Sequence, residues 1–340
     1  MSELVESTLR LPRLARTVIA ARSFTRAAQA PPATAGQQQF NMRSSMDIHP
    51  RIGKLISRSV VRGTPADAWQ IANPHSSRFL DAAEVESAVQ GIRRDGFYVF
   101  GRIVPTEITT AIREYAEQAP AIARGADQPA GIYPRKQPLV GRYDIEETVA
   151  LQCAEVQEFV TDPVAALISQ RYLNQPVLMD EVAFWWTTTQ GTADTNINAQ
   201  MFHQDRDRLS FLKFFIYLTD VRPDTGPHVY LRGSHRHIPR SLRADGRISD
   251  ESVRTAGLWD AVTELTGPAG TVMAVDTIGL HKGKTPTGGD RLALESEFCT
   301  TLFGNDYERP DFPASELTQH RFQAMPWVLQ RYAQSAAVER

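Results

Sequence analysis

Met201-Phe202-His203-Gln204-Asp205 sets an imidazole and a carboxylate two residues apart. In an extended strand such residues point to one face, so His203 and Asp205 can be presented side by side. By itself the pair is also what an exposed strand carries, and its meaning depends on its surroundings. Those surroundings are β-rich. Residues 177–188, 199–203, 212–219, 228–232, 270–275 and 291–301 are short runs that read as strands. Thr225-Gly226-Pro227 and Gly288-Gly289-Asp290 are turn signals between them. Short strands punctuated in this way predict an all-β sandwich or barrel.

An imidazole and a carboxylate need one more ligand to make a facial metal site. His281 is the best candidate, because it follows the strand expected at 270–275 and the turn Asp276-Thr277-Ile278-Gly279. Two histidines and one carboxylate on one face leave the opposite positions open, which suits non-heme Fe(II). Arg291 stands ten residues after His281, past the Gly288-Gly289 turn and at the start of an apolar strand. An antiparallel return would bring its guanidinium to the metal side. There its planar fork could pair with a distal carboxylate, a task that suits arginine better than lysine.

The chain before residue 176 reads as helices that would pack outside the barrel. Asp81 caps an expected helix to residue 94, with Val85, Val89 and Ile92 at helical spacing. Asp95-Gly96 ends it, and residues 97–100 form a strand. Pro105 opens a helix to residue 118, residues 125–148 read as a loop, and 155–172 as one helix. A longer polar insertion at 239–267, holding Leu258-Trp259 and Val262, is a candidate lid.

Composition narrows the function classes. Of 340 residues, 42% are hydrophobic and 22% charged, ordinary for a folded globular chain. The net charge of −2 and the lack of a dense basic stripe argue against nucleic acid as a partner. No run of 18 or more apolar residues predicts a transmembrane segment. Cys153 and Cys299 lie far apart without metal-like spacing, so a reducing, cytoplasmic setting is expected.

The charge is uneven, however. Residues 1–62 hold nine arginines and Lys54 against only Glu3, Glu6 and Asp47. Residues 1–75 are therefore expected to be a basic extension, and 76–340 a single domain. A short amphipathic helix near the start would fit a transit peptide or a membrane-surface helix. A disordered tail, or an upstream start codon with Met42 or Met46 as the alternative first residue, fits better, since Glu3 and Glu6 count against a transit peptide.

Taken in order, several blocks resemble the phytanoyl-CoA dioxygenase family of Fe(II)- and 2-oxoglutarate-dependent oxygenases. They are His203-Gln204-Asp205, Tyr217-Leu218-Thr219-Asp220, Gly226-Pro227, Gly233-Ser234-His235-Arg236, and His281 to Arg291, within residues 80–305. The resemblance implies a mainly β fold with flanking helices around a double-stranded β-helix, the jelly roll of cupin-like proteins. It implies His203, Asp205 and His281 as iron ligands and Arg291 as the anchor for the far carboxylate of 2-oxoglutarate. Gln200 and His228 match positions from which relatives contact this cosubstrate. It also implies O₂ as second cosubstrate, with succinate and CO₂ released as a substrate C–H bond is oxidised. Halogenating relatives carry a small residue in place of the carboxylate. Asp205 therefore favours hydroxylation or a related oxidation.

Two positions depart from the family pattern. A serine often assists the arginine where Gly283 stands here, so a group such as Thr285 would have to substitute. The usual proline before Gly233-Ser234-His235 is Arg232. The resemblance makes His235 a turn histidine, outside the site, and His237 and His320 read as surface or packing residues. For the substrate, Trp185, Trp186 and Asn198 are candidate pocket residues. Arg206, Arg208, Arg240 and Arg243 suggest a basic entrance for an anionic or acyl-type small molecule. Two other functions stay open on the sequence alone: a jelly-roll binding protein with a vestigial site, and a cupin-type metal enzyme that does not use 2-oxoglutarate.

Overall fold

The computed structural model describes residues 66–71, 74–190, 200–242, 246–302 and 310–334. Most of the expected extension, together with Asn198 and Arg243, lies outside them. The described chain begins with short 3-10 turns at Ala66–Trp69 and Pro74–Ser76, and Ala68 is already fully buried.

Asp81 accepts a hydrogen bond from the Ala83 amide, and α1 (Val85–Asp95) follows. Gly96 at φ 94° closes the helix, a conformation glycine adopts without strain. Strand β1 (Phe97–Ile103) and α2 (Thr106–Gln118) come next. The stretch expected as a loop is more ordered than that. β2 (Pro120–Ala123) precedes it, and it carries β3 (Gly131–Ile132), β4 (Arg142–Ile145) and the start of the single turn α3 (Glu147–Ala150). In β4 the buried residues Tyr143 and Ile145 alternate with Arg142 and Asp144, a pattern only four residues long that charged neighbours disguise.

The helix expected over 155–172 is two helices, α4 (Ala154–Val160) and α5 (Pro163–Leu173). Asp162 divides them by accepting from the Val164 and Ala165 amides, with Pro163 in the first turn of α5. A proline there tolerates a helix start and stops the preceding helix from running on.

The strands of the β region are β5 (Leu178–Thr187), β6 (Phe211–Tyr217), β7 (His228–Leu231), β8 (Val262–Leu265), β9 (Thr271–Val275), β10 (His281–Gly283) and β11 (Arg291–Cys299). An antiparallel sheet of eight strands runs β1-β9-β6-β11-β5-β4-β2-β3, and a second runs β10-β7-β8. Between them lies an inner cluster drawn from both sheets: Trp185, Phe215, Tyr217, Tyr230, Leu265, Met273 and Ala293. Alternate residues of the same strands, such as Phe184, Trp186, Phe214, Ile216, Leu292 and Leu294, join the larger outer core with the helices. With both faces covered, β6 and β11 are buried at every position, although β6 holds Lys213 and β11 holds Arg291, Glu295, Ser296 and Glu297. The fold is a jelly roll with flanking helices.

The segment expected as an insertion contributes to this framework. It holds α6 (Asp250–Thr255), a 3-10 turn at Trp259–Ala261, and β8, an edge of the smaller sheet. Ile248, Val253 and Leu242 pack there with Phe202 and Leu280. The chain ends in β12 (Asp311–Phe312), α7 (Glu316–Ala324) and β13 (Ala333–Gln334).

Candidate active site

The histidine–carboxylate pair does not lie in a regular strand. Phe202 and His203 make isolated bridges to Ile248 and His281, and Asp205 is in irregular chain. The His203 and His281 backbones exchange two hydrogen bonds, of 2.9 and 3.0 Å, so the two imidazoles are direct cross-chain neighbours. The Asp205 amide donates to the Thr277 carbonyl at 2.9 Å. Tertiary pairing with the turn before β10, rather than strand alternation, brings the three residues together.

That turn is itself pinned. Asp276 accepts from the Tyr172 hydroxyl at 2.5 Å and from the Ile278 amide at 3.2 Å, and its carbonyl accepts from Tyr230 at 2.7 Å. Gly279 is required for packing. A Cβ there would run into the Tyr230 hydroxyl and the Ser234 Oγ.

Both imidazoles are oriented by their outer nitrogens. His203 Nδ1 lies 2.9 Å from the Met201 carbonyl, and His281 Nδ1 lies 3.0 Å from the Gly279 carbonyl. An Nδ1–H donated to a carbonyl leaves the lone pair on Nε2, directed inward. His203 Nε2 is 3.5 Å from Asp205 Oδ1, and His281 Nε2 is 3.5 Å from Oδ2. One donor atom from each of the three residues falls within 4.8 Å of the others, and this is the metal-ligand grouping found among the described residues.

Electrostatics prepare the same atoms for a cation. Burial, reinforced by His281, pushes the His203 imidazole down to about 3, and burial also lowers His281. Both are thus neutral at neutral pH, the form that binds metal. Burial works to raise the Asp205 carboxyl, but the Lys213 ammonium and the two imidazoles outweigh it and hold it well below the usual carboxylate range.

Arg291, His228 and Gln200 each carry a buried side-chain atom without a partner among the described residues. Arg291, at the start of β11, donates through Nη1 to the Gly226 carbonyl and through Nη2 to the Thr187 hydroxyl at 3.1 Å, while its Nε is unmatched. His228 stacks on His281, with ring centroids 5.2 Å apart and planes 5° apart, and its Nε2 is unmatched. Both polar atoms of the Gln200 amide, on a side chain only 3% exposed, are unmatched too. Buried polar atoms are rarely left unpaired, and a cluster of them marks where a polar ligand would bind. Donors on Arg291 and Gln200 and a facial His/Asp/His set fit a dicarboxylic keto acid chelated to a divalent metal.

The sequence profile of the phytanoyl-CoA dioxygenase family matches residues 92–291, more than half of the chain. The chain belongs to the phytanoyl-CoA dioxygenase family. It is accordingly an iron- and 2-oxoglutarate-dependent oxygenase, as the donor set just described fits.

Among solved structures, HygX from Streptomyces hygroscopicus, with nickel, 2-oxoglutarate and hygromycin B bound, is 16% identical. The match covers 67% of this chain and 91% of that one at a TM-score of 0.44. The carbocyclase SnoK of nogalamycin biosynthesis is 21% identical over 63% of this chain and 83% of its own, with a TM-score of 0.44. EctD from S. alaskensis with bound iron is 15% identical over 67% and 82%, with a TM-score of 0.40. At such identities these proteins do not indicate what this chain oxidises. No curated protein matches the chain.

The structure places several of the other candidate residues. Trp185 faces the inner cluster, but Trp186 lies in the outer core, stacked on Tyr133 at 4.9 Å. Arg208 is no entrance residue. It is 3% exposed and paired with Asp180, with Glu297 at 4.0 Å. The hydroxyl on Arg291 belongs to Thr187, since β5 and β11 pair Thr187 with Arg291 in register. His235 contacts the Arg93 carbonyl at 3.2 Å and so ties its turn to α1, away from the metal ligands. His237 and His320 are exposed.

Sequence reading missed Thr187 and Lys213. The signal for Lys213 was present: a lone cation in the otherwise apolar run Phe211-Leu212-Lys213-Phe214-Phe215-Ile216-Tyr217. No described helix is long and apolar enough to cross a membrane.

Proposed function

We propose that the chain hydroxylates a C–H bond of a small molecule, with His203, Asp205 and His281 as iron ligands and Arg291 as the anchor for the distal carboxylate of 2-oxoglutarate. Gln200 and His228 contact the cosubstrate. The observation that carries this reading is the conjunction of the inward Nε2–Nε2–carboxylate set with the unmatched Arg291 Nε, His228 Nε2 and Gln200 amide. The ligand set alone would suit many metal enzymes, and the unmatched polar atoms alone would suit many polar ligands. The two together match what a chelated keto acid requires.

Iron with 2-oxoglutarate and O₂ supplies the oxidising power. The chain supplies orientation and a dry pocket. Met201 and Gly279 carbonyls fix the imidazole tautomers. Arg291 holds the far end of the cosubstrate so that its chelating end meets the metal. His228, kept neutral because burial and then His281 push its pKa well down, acts as a hydrogen-bonding group rather than a charge. Asp205 fills the position that a halogenating enzyme leaves for chloride, which supports hydroxylation or a kindred oxidation.

Anaerobic addition of 2-oxoglutarate to the Fe(II) protein tests the cofactor half, through the visible charge-transfer band of the chelate. Aerobic incubation with candidate substrates under labelled O₂ tests the rest, through succinate and an oxygen-labelled product. No band would remove the 2-oxoglutarate reading. Products that are consistently desaturated, cyclised or epimerised would remove hydroxylation.

A further inference from the structure

Strand β6 is apolar or aromatic at every position except Lys213. Alternation turns Lys213 inward with Phe215 and Tyr217, and only 8% of its side chain is exposed. A buried ammonium is costly unless it is paired, so its contacts carry information. Nζ lies 3.0 Å from Glu295 Oε1, 3.2 Å from Asp205 Oδ2, 3.4 Å from Glu297 Oε2 and 3.8 Å from Asp207 Oδ2.

Glu295 and Glu297 reach the ammonium from one strand, and Asp205 meets it from a separate loop. Both glutamates stand on β11, where Glu297 pairs with Lys213 itself and Glu295 with Phe215. They anchor the ammonium from the neighbouring strand. It therefore meets the Asp205 carboxylate from a fixed side, at Oδ2. Oδ1 lies 3.5 Å from His203 Nε2; Oδ2 lies 3.5 Å from His281 Nε2, with the Lys213 contact at 3.2 Å the shorter of its two.

We propose that Lys213 is a positioning residue for the iron: by engaging Asp205 Oδ2 it makes Asp205 a one-oxygen ligand through Oδ1. The proposal rests on the ligand assignment made under Proposed function. A one-oxygen carboxylate matters because the positions opposite the triad must accept both donor atoms of 2-oxoglutarate and then O₂. A carboxylate free to chelate through both oxygens would occupy the place O₂ needs. Lys213 thereby guards reaction with O₂ rather than binding of the metal or cosubstrate.

Two variants separate this role from simple charge balance: Lys213→Met, and the triple change Lys213→Met, Glu295→Gln, Glu297→Gln, which removes the surplus buried acids as well. Each is compared with the wild-type protein by thermal unfolding, by the anaerobic Fe(II)–2-oxoglutarate band, and by the rate at which that band decays on mixing with O₂. The single variant is expected to melt lower, and the triple variant to recover most of that loss. Both keep the band, while its O₂-dependent decay slows by about 10- to 100-fold, the range over which outer-shell partners act.

Wild-type decay in either variant overturns the proposal, because Lys213 would then only balance charge. A triple variant that melts normally but has lost the band overturns it too. If the wild-type protein itself shows no band, the iron and 2-oxoglutarate assignment has failed and the proposal falls with it, a result distinct from either of the others.

Discussion

Replacing Arg291 with lysine tests the cosubstrate assignment most directly, because it keeps the charge and removes the planar fork. Arg291 is 6% exposed and enters the site already held from behind, by the Gly226 carbonyl and the Thr187 hydroxyl. Its Nε is the guanidinium nitrogen with no partner, each Nη keeps a second N–H, and the plane is fixed by the two other contacts. A lysine ammonium can meet a carboxylate only as a point charge and cannot hold Gly226 and Thr187 while doing so.

Hydrogen bonds to charged groups contribute about 1.5–3 kcal/mol each. Loss of one such bond with its geometry weakens 2-oxoglutarate binding by about 2–3 kcal/mol, or roughly 30- to 150-fold at 1.4 kcal/mol per decade. The assay is an anaerobic titration of 2-oxoglutarate into the Fe(II) protein, followed by the charge-transfer band, with Fe(II) affinity measured separately. A weaker 2-oxoglutarate midpoint with unchanged Fe(II) affinity is the expected pattern. Binding of 2-oxoglutarate within about threefold of wild type would refute the reasoning, since the fork would then contribute less than one ordinary hydrogen bond.

Other perturbations probe the surroundings of the site. Gly279→Ala should destabilise the fold by about 1–3 kcal/mol through overpacking and weaken metal binding, because the new methyl displaces Tyr230 from the turn before His281. Urea unfolding and a metal titration check it, and unchanged metal affinity would count against the pinned turn.

In the metal-free protein, His203 has its pKa pushed down to about 3, whereas the unfolded chain titrates near 6.5. Between these values the unfolded state takes up a proton that the folded state refuses, so stability falls as pH falls through that window. Wild-type protein should therefore lose more stability than His203→Gln on acidification from about 6.5 toward 3. Parallel pH profiles would contradict a buried neutral His203.

At the far end of the chain, Glu147 grips both guanidinium nitrogens of Arg331 at 2.8 Å and accepts from the Tyr332 hydroxyl at 2.8 Å. Glu147→Ala should cost roughly 3 kcal/mol, as breaking a mostly buried pair does, without changing the charge-transfer band. A loss below about 1 kcal/mol would place that contact among ordinary surface pairs.

Much of this protein is legible along its chain. Short β-rich runs and turn signals were enough for the β region, and the ordered blocks from His203 to Arg291 were enough for the family. Local chemistry encodes these features: a strand shows its period within a few residues, and Gly96 marks a helix end wherever it occurs. Where local signals conflicted, the sequence was less informative. Residues 155–172 read as one helix because the apolar side continues across Asp162-Pro163, and β4 was hidden among charges that it pairs in space.

Assembly of the site depends on contacts between distant segments. His203 and Asp205 are not neighbours on a strand. They are held by backbone bonds to His281 and Thr277, more than seventy residues away in the chain. Arg208 and Arg291 look alike in sequence, yet one is committed to Asp180 and the other keeps a donor free. Lys213 gains its meaning from Glu295 and Glu297 on the adjacent strand and from a loop carboxylate that meets it across the barrel interior. The physical reason is common to all three. The state of a buried charge depends on what the fold sets within about 4 Å of it, and that neighbourhood is assembled from chain segments with no local relation to one another.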